Sequence, residues 1–327
     1  MITIISLNPC IDLTLNIPAL TIGGSHRTED TRRDVAGKAI NVAYALNNLK
    51  QPCQVIGFHF TENGDLLAQP LEKAGIPYEQ IPVAGSIRTN IKIFEKNSNV
   101  MTEINHPGDS VPAEAVNLLL QKIQKTIEST TQSKPTLFIL SGSIPTGVDT
   151  NVYGKIISQT KVPTVLDTYG KALLQGLEAG AFVIKPNLFE LESTFNVSLP
   201  TRDMQVSFCR ELLARYKNLR AICLSMGGEG AMIIGETGVY YSPPLDIPVR
   251  GVQGAGDSLV AGMALEISGI NKNTLPNIPP NTLPLEAMLR SAVAMASASV
   301  ICEGTLIGTQ KDFEALRKHV KVEKIAN

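Results

Sequence analysis

The sequence predicts an α/β fold in which a doubly wound, mainly parallel sheet is flanked by helices. Short runs rich in β-branched residues alternate along the chain with longer helical patterns, which is the order expected of βαβ units. Apolar residues make up 43% of the 327 positions and charged residues only 18%. This balance indicates a large buried core and argues against disorder.

The strands of the main sheet are predicted from short apolar runs, and the helices from the longer segments between them. The predicted strands are residues 2–7, 53–58, 136–140, 164–167, 182–185 and 221–225. The predicted helices are residues 41–49, 63–74, 113–128, 151–159, 171–177 and 203–216. Gly75 follows the second helix in the usual position of a C-terminal stop. The stretch 271–284, rich in Pro and Asn, is predicted to be a loop between two later helices.

Two segments, approximately residues 12–35 and 86–105, depart from this alternation. The first shows little helical period. The second contains two alternating runs, 89–95 and 100–104, around an Asn-rich turn, which is the pattern of a β-hairpin. We expect the two segments to form a small β-sheet lid on a single domain spanning residues 1–327, because no linker rich in Gly, Ser or Pro divides the chain.

Composition argues against several classes of function. The formal net charge is −1, so no basic field attracts nucleic acid or an anionic membrane, and the absence of Trp removes the best base-stacking side chain. The five cysteines are scattered without a CxxC pair, which argues against a disulfide framework and a zinc site. Neither a signal peptide nor an apolar run of ~18 residues is present. We therefore expect a soluble, cytoplasmic protein that acts on small molecules.

The strongest local signal is Gly254-Ala255-Gly256-Asp257, which precedes an apolar helical pattern. Small residues at a helix start leave backbone N–H groups unpaired, and together with the helix dipole these groups favour a bound phosphate. An aspartate would repel that phosphate, but it could accept a proton from a substrate hydroxyl that attacks the phosphorus. An ordinary Gly-rich helix start is the other interpretation, and the motif alone does not separate the two.

Two further motifs have a functional and a structural interpretation. Asn187 and Glu190 follow a predicted strand at Lys185 and share one helix face, so they could hold a hydrated Mg²⁺. The same spacing is typical of a capping box, which these two residues by themselves favour. The run 225–230 could cradle a nucleotide or form a turn. Neither a Walker A pattern nor a dinucleotide-binding fingerprint occurs.

The N-terminal region contains polar residues where open α/β sheets bind ligands. Asp12 lies just after the first predicted strand, and Gly37, Lys38 and Asn41 open the next helix. Isolated lysines are usually solvated surface residues, and Arg88 at the start of the hairpin has the same ordinary explanation.

Taken in order, these motifs resemble the ribokinase-like PfkB family of carbohydrate kinases over almost the whole chain. The motifs are Asn8-Pro-x-x-Asp12, Gly37-Lys-x-x-Asn41-Val-Ala43, Arg88-Thr-Asn90, Ser141-Gly-Ser-Ile-Pro145, Lys185-Pro-Asn-x-x-Glu190, Ser225-Met-Gly227 and Gly254-Ala-Gly-Asp257. Each is a weak or moderate signal alone, but the ordered series is specific. The branch resembled most comprises 1-phosphofructokinase and tagatose-6-phosphate kinase, with the minor type of 6-phosphofructokinase close by.

The resemblance implies an ATP- and Mg²⁺-dependent kinase that converts fructose 1-phosphate to fructose 1,6-bisphosphate. It implies that Asp257 is the general base and that the amides of Gly254, Ala255 and Gly256 form an anion hole. The implied substrate-binding residues are Asp12, Arg27, Gly37, Lys38, Asn41, Arg88 and Ser141. The implied nucleotide-binding residues are Lys185, Asn187, Glu190, Ser225, Gly227 and Gly230, of which Asn187 and Glu190 would organise Mg²⁺ through water.

The same residues leave three alternatives to fructose 1-phosphate kinase activity, and they also suggest an oligomer. Tagatose 6-phosphate and fructose 6-phosphate are rival acceptors, because each has a phosphate at one end and a primary hydroxyl at the other. A catalytically silent sugar-phosphate sensor is the alternative of a different class, and the intact Asp257 and Glu190 weigh against it. The open edges of the lid also suggest a homodimer formed through it.

Overall fold

The computed structural model describes residues 1–129, 136–270 and 283–326. In chain order the strands of these residues are β1 Ile2–Ser6, β2 Cys10–Ile17, β3 Asp30–Ala36, β4 Cys53–Phe60, β5 Tyr78–Val83, β6 Arg88–Glu95, β7 Val100–Ile104, β8 Leu137–Ser141, β9 Thr164–Asp167, β10 Val183–Ile184, β11 Ala221–Ser225, β12 Ala231–Gly235, β13 Gly238–Ser242 and β14 Glu323–Ala326. The helices are α1 Lys38–Asn48, α2 Asp65–Lys73, α3 Ala113–Glu128, α4 Val152–Gln159, α5 Gly170–Ala179, α6 Leu188–Phe195, α7 Arg202–Arg215, α8 Ala255–Gly269, α9 Leu285–Val300 and α10 Gln310–Arg317.

The main sheet has the order β14-β13-β12-β11-β10-β9-β8-β1-β4-β5 within the described residues. From β5 to β11 neighbouring strands are parallel, and β12, β13 and β14 are added antiparallel at one edge. The chain builds outward from β1 in both directions, first through β4 and β5 and then through β8 to β11. The predicted doubly wound, mainly parallel sheet is therefore confirmed.

The strand β1 is buried along its whole length and mainly apolar, because both faces of the sheet are covered. Ile2, Ile4 and Ile5 are each completely buried. A parallel strand between two helical layers requires such a continuous run rather than an alternating one. The same pattern in β8 and β11 explains why their positions were predictable from sequence.

The predicted elements agree with the structure wherever their local signal is strong. The predicted strands 164–167 and 221–225 and the predicted helix 113–128 have the observed bounds. The edge strand β5 was not predicted, because its residues are mostly exposed and it contains Pro82. Of the predicted loop 271–284, residues 271–282 lie outside the described part of the chain.

Four strands form a second, smaller sheet in the order β3-β2-β6-β7. The predicted hairpin is confirmed, since β6 and β7 pair antiparallel. The other segment contributes β2 and β3, and β2 joins the hairpin by parallel pairing with β6. Because side chains alternate along a strand, Asp12, Asn90 and Lys92 share one face of this sheet.

No helix in the described ranges is both long and apolar enough to cross a membrane.

Candidate active site

The first turn of α8 presents the motif that sequence analysis singled out. Gly254 precedes the helix with a φ of 75°, a left-handed conformation that favours glycine. A side chain there would also crowd Ile307, whose Cδ1 lies 3.1 Å from the ideal Cβ position. The N–H groups of the first helical turn have no partners within the helix, although the Ala255 N–H makes a long hydrogen bond of 3.4 Å to the Val252 carbonyl, and the start of α8 therefore attracts an anion.

Asp257 lies in this first turn and is buried, with 6% of its surface exposed. Asn41 of α1 donates a hydrogen bond from Nδ2 to Asp257 Oδ2 at 2.7 Å. Burial, and then the negative charge of Asp167, raise the pKa of Asp257 to about 6, although Lys38, the Asn41 hydrogen bond and Lys185 oppose the shift. The carboxylate is therefore ionised at neutral pH and can still accept a proton readily.

A cluster of four charged side chains lies beside Asp257. Lys38 Nζ is 3.2 Å from Asp167 Oδ1 and 3.0 Å from Glu190 Oε1. Lys185 Nζ is 3.2 Å from the same Asp167 oxygen. Burial alone would lower the pKa of Lys38, but the carboxylates of Asp167, Glu190 and Asp257 together raise it above its ordinary value. The cluster thus keeps Lys38 positively charged.

Asp167 is the residue of this cluster that sequence reasoning missed. It is completely buried at the C-terminal end of β9. Burial alone would raise its pKa, but Lys185 and Lys38 overcome that effect and hold the pKa below the ordinary value. A signal was available, because 164–167 was a predicted strand and ligands of open α/β sheets bind where such strands end.

Asn187 and Glu190 form the capping box of α6. The Glu190 N–H donates to Asn187 Oδ1 at 2.7 Å, and the Asn187 N–H donates to Glu190 Oε2 at 2.9 Å. The structural interpretation of this motif is therefore confirmed. The capping box occupies only one oxygen of the Glu190 carboxylate, and the other oxygen accepts a hydrogen bond from Lys38.

The acidic side chains near the cluster suit a hydrated divalent cation. Within the described residues, no three His, Cys, Asp or Glu side chains converge as a complete metal cage. Mg²⁺ commonly keeps several waters and uses only one or two carboxylates together with substrate phosphates. Glu190, whose Oε1 faces Lys38, is a hard oxygen donor of that kind, whereas the completely buried Asp167 already has its two oxygens in contact with Lys38, Lys185 and Ser141.

A pocket of about 260 Å³ opens at the C-terminal ends of β1 and β8. It brings together four predicted substrate-binding residues, which are Gly37, Lys38, Arg88 and Ser141. The Arg88 guanidinium donates to the His106 carbonyl and to Asn90 Oδ1, both at 3.1 Å, and to the Asn8 carbonyl at 3.4 Å. Ser141 donates from Oγ to Asp167 Oδ2 at 3.2 Å.

The other predicted substrate-binding residues lie outside the lining of this pocket. Asp12 is buried on the inner face of the small sheet, and Asn41 reaches Asp257 from the second turn of α1. Arg27 is exposed on the connection between β2 and β3.

The predicted nucleotide-binding residues line a separate region at the ends of β10 and β11. Ser225 ends β11 and pairs with Asn187, and Gly227 begins a short 3₁₀ turn that ends before Gly230. An ideal Cβ at Gly227 would meet no atom within 4 Å, so the turn leaves open space above it. Lys185 connects this region to α8, since its Nζ lies 3.6 Å from the ideal Cβ position of Gly256.

Comparison with known proteins relates the chain to a family. The model of the pfkB family carbohydrate kinases matches residues 4–312. The 1-phosphofructokinase of Vibrio cholerae is 29% identical, with 98% of this chain and 96% of that protein covered. The 1-phosphofructokinase of Bacillus subtilis is 28% identical, with 99% of this chain and 100% of that protein covered.

Two solved structures are similar in fold. Phosphofructokinase-2 of Escherichia coli, in complex with substrates and products, has a TM-score of 0.85 at 24% identity and covers 97% of this chain and 98% of its own. Ribokinase of Thermotoga maritima has a TM-score of 0.71 at 16% identity and covers 97% of this chain and 99% of its own. The ribokinase-like fold implied by the ordered motifs is thereby confirmed.

Proposed function

The chain belongs to the pfkB family of carbohydrate kinases, and we propose that it transfers the γ-phosphoryl group of ATP to fructose 1-phosphate. The product would be fructose 1,6-bisphosphate. The observation that carries the proposal is the position of Asp257 next to the basic pocket. Lys38 lines that pocket, and Asn41, one turn further along the same helix, binds Asp257.

The pocket supports an acceptor that already carries a phosphate. Lys38 and Arg88, which both line the pocket, supply two cations. A phosphate dianion makes strong, charge-assisted hydrogen bonds with such groups, and a guanidinium can bind it through two nitrogens. A kinase for unphosphorylated sugars has no need of this cationic pair.

The arrangement of α8 supports a direct transfer in which the protein mainly aligns the reactants. Asp257 takes the proton of the attacking sugar hydroxyl, and Asn41 keeps its carboxylate in place. The amides of Gly254, Ala255 and Gly256 stabilise the charge that spreads over the transferring phosphoryl oxygens. The general base and the anion hole thus lie on a single helical turn.

On the nucleotide side, Ser225, Gly227 and Gly230 lie along ATP and Lys185 contacts its phosphates. Asn187 and Glu190 would hold Mg²⁺, largely through water, and the ion would supply positive charge to the nucleotide phosphates.

The small sheet serves as a lid over the sugar. Its edge strand β3 touches the main body, since the Arg32 guanidinium packs against Gly304. Arg32 also pairs with Asp34 of the same strand at 2.8 Å. A lid held against the body excludes water, which would otherwise accept the phosphoryl group.

The substrate assignment is tested by measuring ADP release with Mg·ATP and a panel of acceptors. The panel contains fructose 1-phosphate, tagatose 6-phosphate, fructose 6-phosphate, fructose and ribose. We expect the highest kcat/KM with fructose 1-phosphate. A preference for another phosphorylated ketohexose would move the assignment to that sugar, and activity on only the unphosphorylated sugars would contradict the phosphate-pocket argument. Activity with none of the acceptors would favour the sensor.

The outer face of the lid supports a homodimer. Leu13, Leu15, Ile91 and Ile93 lie on the face opposite Asp12, and Ile104 of β7 lies beside Ile91 with 54% of its surface exposed. A second copy of the same apolar face would cover these side chains.

We expect light scattering to give twice the 35.1 kDa mass of the chain at assay concentration. Ile104→Glu should shift the protein toward the monomer by burying a charge in the contact. Leu118→Glu is the matched control, because Leu118 is 48% exposed on α3, away from the lid. A monomeric wild type would contradict the dimer.

A further inference from the structure

Lys92 is a buried lysine that the proposed mechanism does not yet use. It lies on β6 of the lid, and only 6% of its surface is exposed. Lysines are seldom fully buried unless they are paired, because removing an ammonium group from water is costly. A buried lysine on the inner face of the lid therefore requires a partner of opposite charge.

The partner of Lys92 is a predicted sugar-binding residue. Lys92 Nζ lies 2.6 Å from Asp12 Oδ2, whereas Glu103, its other acidic neighbour, is 3.9 Å away and 43% exposed. The other Asp12 oxygen accepts hydrogen bonds from Asn90 Nδ2 at 3.0 Å and from Cys10 Sγ at 3.5 Å. Both oxygens of the Asp12 carboxylate are thus held by the small sheet.

These contacts continue to the phosphate pocket. Asn90, which donates to Asp12, accepts a hydrogen bond from Arg88 Nη1 at 3.1 Å, and Arg88 lines the pocket. Arg88, Asn90 and Lys92 alternate along one face of β6, and the parallel register places Asp12 directly opposite Asn90. The result is a polar chain from Arg88 through Asn90 and Asp12 to Lys92.

We propose that Lys92 is a positioning residue for the acceptor sugar and that it acts through Asp12. Its ammonium orients the Asp12 carboxylate, so that the remaining lone pairs of that carboxylate point to the sugar hydroxyls when the phosphate is bound by Arg88. The inference rests on the proposed function, since it assumes that the acceptor binds between the lid and α8. It adds a recognition residue beyond those of the ordered motifs.

The test compares Lys92→Met and Lys92→Arg with the wild type. We expect Lys92→Met to raise KM for the preferred sugar phosphate roughly tenfold to a hundredfold, the loss expected for a hydrogen bond to a charged group. KM for ATP should stay within about twofold, because Lys92 lies on the sugar side, and Lys92→Arg should recover part of the sugar affinity. Equal changes in both KM values, or an unchanged sugar KM, would overturn the proposal.

Lys96→Met is the matched control. Lys96 follows β6 in the same hairpin and also forms an ion pair, with Glu29 at 2.5 Å, but its side chain is 48% exposed and lies away from Asp12. We expect this variant to keep wild-type KM values for both substrates. A loss of sugar affinity equal to that of Lys92→Met would show that any lysine of the hairpin acts in the same way and would overturn the proposal.

Lys92→Met could be unstable, because it leaves the buried Asp12 carboxylate without its ammonium partner. Adding Asp12→Asn removes that unpaired charge, so a double-mutant cycle with the two substitutions keeps the test decisive. If Lys92 acts through Asp12, the double variant Asp12→Asn/Lys92→Met loses no more sugar affinity than Asp12→Asn alone. Additive losses would contradict the inference.

If the wild type turns over none of the acceptors in the panel, the proposed function fails and the inference fails with it. Unchanged KM values in an active enzyme overturn the inference alone.

Discussion

Replacing Asp257 with Asn is expected to lower kcat by roughly 10²- to 10⁴-fold, with little change in the binding of either substrate. Asn has nearly the same shape as Asp and can still accept the hydrogen bond from Asn41, so the first turn of α8 should keep its form. It cannot take the proton of the attacking hydroxyl. Steady-state kinetics with both substrates varied would measure the effect, and near-normal turnover would contradict the assignment of the base.

Asp203→Asn is the matched control for this substitution. Asp203 is also an aspartate in the first turn of a helix, α7, but it is exposed and lies outside the site. We expect the Asp203→Asn substitution to leave kcat unchanged. A comparable loss of activity in the control would mean that the effect arises from helix stability rather than from proton transfer.

The pH dependence of the wild type follows from the same carboxylate. Because the pKa of Asp257 is raised to about 6, turnover should fall as the pH drops through that value and the base becomes protonated.

The same carboxylate affects stability, because in the unfolded chain the pKa of Asp257 returns to its ordinary, lower value. Between the two values the folded protein holds a proton that the unfolded chain releases, so ionisation of Asp257 destabilises the fold increasingly as pH rises. Asp257→Asn should therefore raise Tm, and more at pH 8 than at pH 5.

Replacing Arg88 with Ala is expected to raise KM for the sugar phosphate by roughly a hundredfold, while kcat and KM for ATP change little. Arg88 lines the pocket, so its loss removes charge-assisted hydrogen bonds from the guanidinium to the phosphate. Kinetics with all three phosphorylated sugars would measure the loss. An unchanged KM for each of them would contradict the phosphate-binding role.

Two further variants separate binding from local structure. Arg88→Lys keeps the charge but not the planar fork, so its KM should lie between the values for the wild type and Arg88→Ala. Arg33→Ala is the control, because Arg33 is an exposed arginine of the same small sheet on β3. A raised sugar KM in the Arg33 variant would indicate a general charge effect of the lid rather than a specific contact.

Much of the fold was predictable because its signals are local. The strands β9 and β11 follow from short runs of neighbouring apolar residues and the helix α3 from a helical pattern, and the predicted bounds of these three elements agree with the structure. The late strand β13 and the edge strand β14 were missed. The strand β14 is mostly exposed and joins the sheet through backbone pairing with β13, so its side chains carry little hydrophobic pattern.

The candidate site was only partly predictable. Asp257, Lys38 and Arg88 follow from ordered motifs, whereas Asp167 and Lys92 belong to no motif and became visible through the groups they contact. The capping box at Asn187 and Glu190 shows the limit of spacing as evidence, since one pair of residues caps a helix and also faces Lys38. Local spacing therefore identified candidates but not their partners.

The fold class and the family can be predicted from the sequence alone, because alternating apolar patterns and the order of short motifs are properties of the chain. Which charged side chains contact one another depends on the tertiary structure. Lys38 binds Asp167 and Glu190 from 129 and 152 positions away, and Asn41 binds Asp257 across 216 positions. The pKa of Asp257 depends on burial and on distances through space. Those distances exist only once the parallel strands have brought their carboxyl ends to one edge of the sheet.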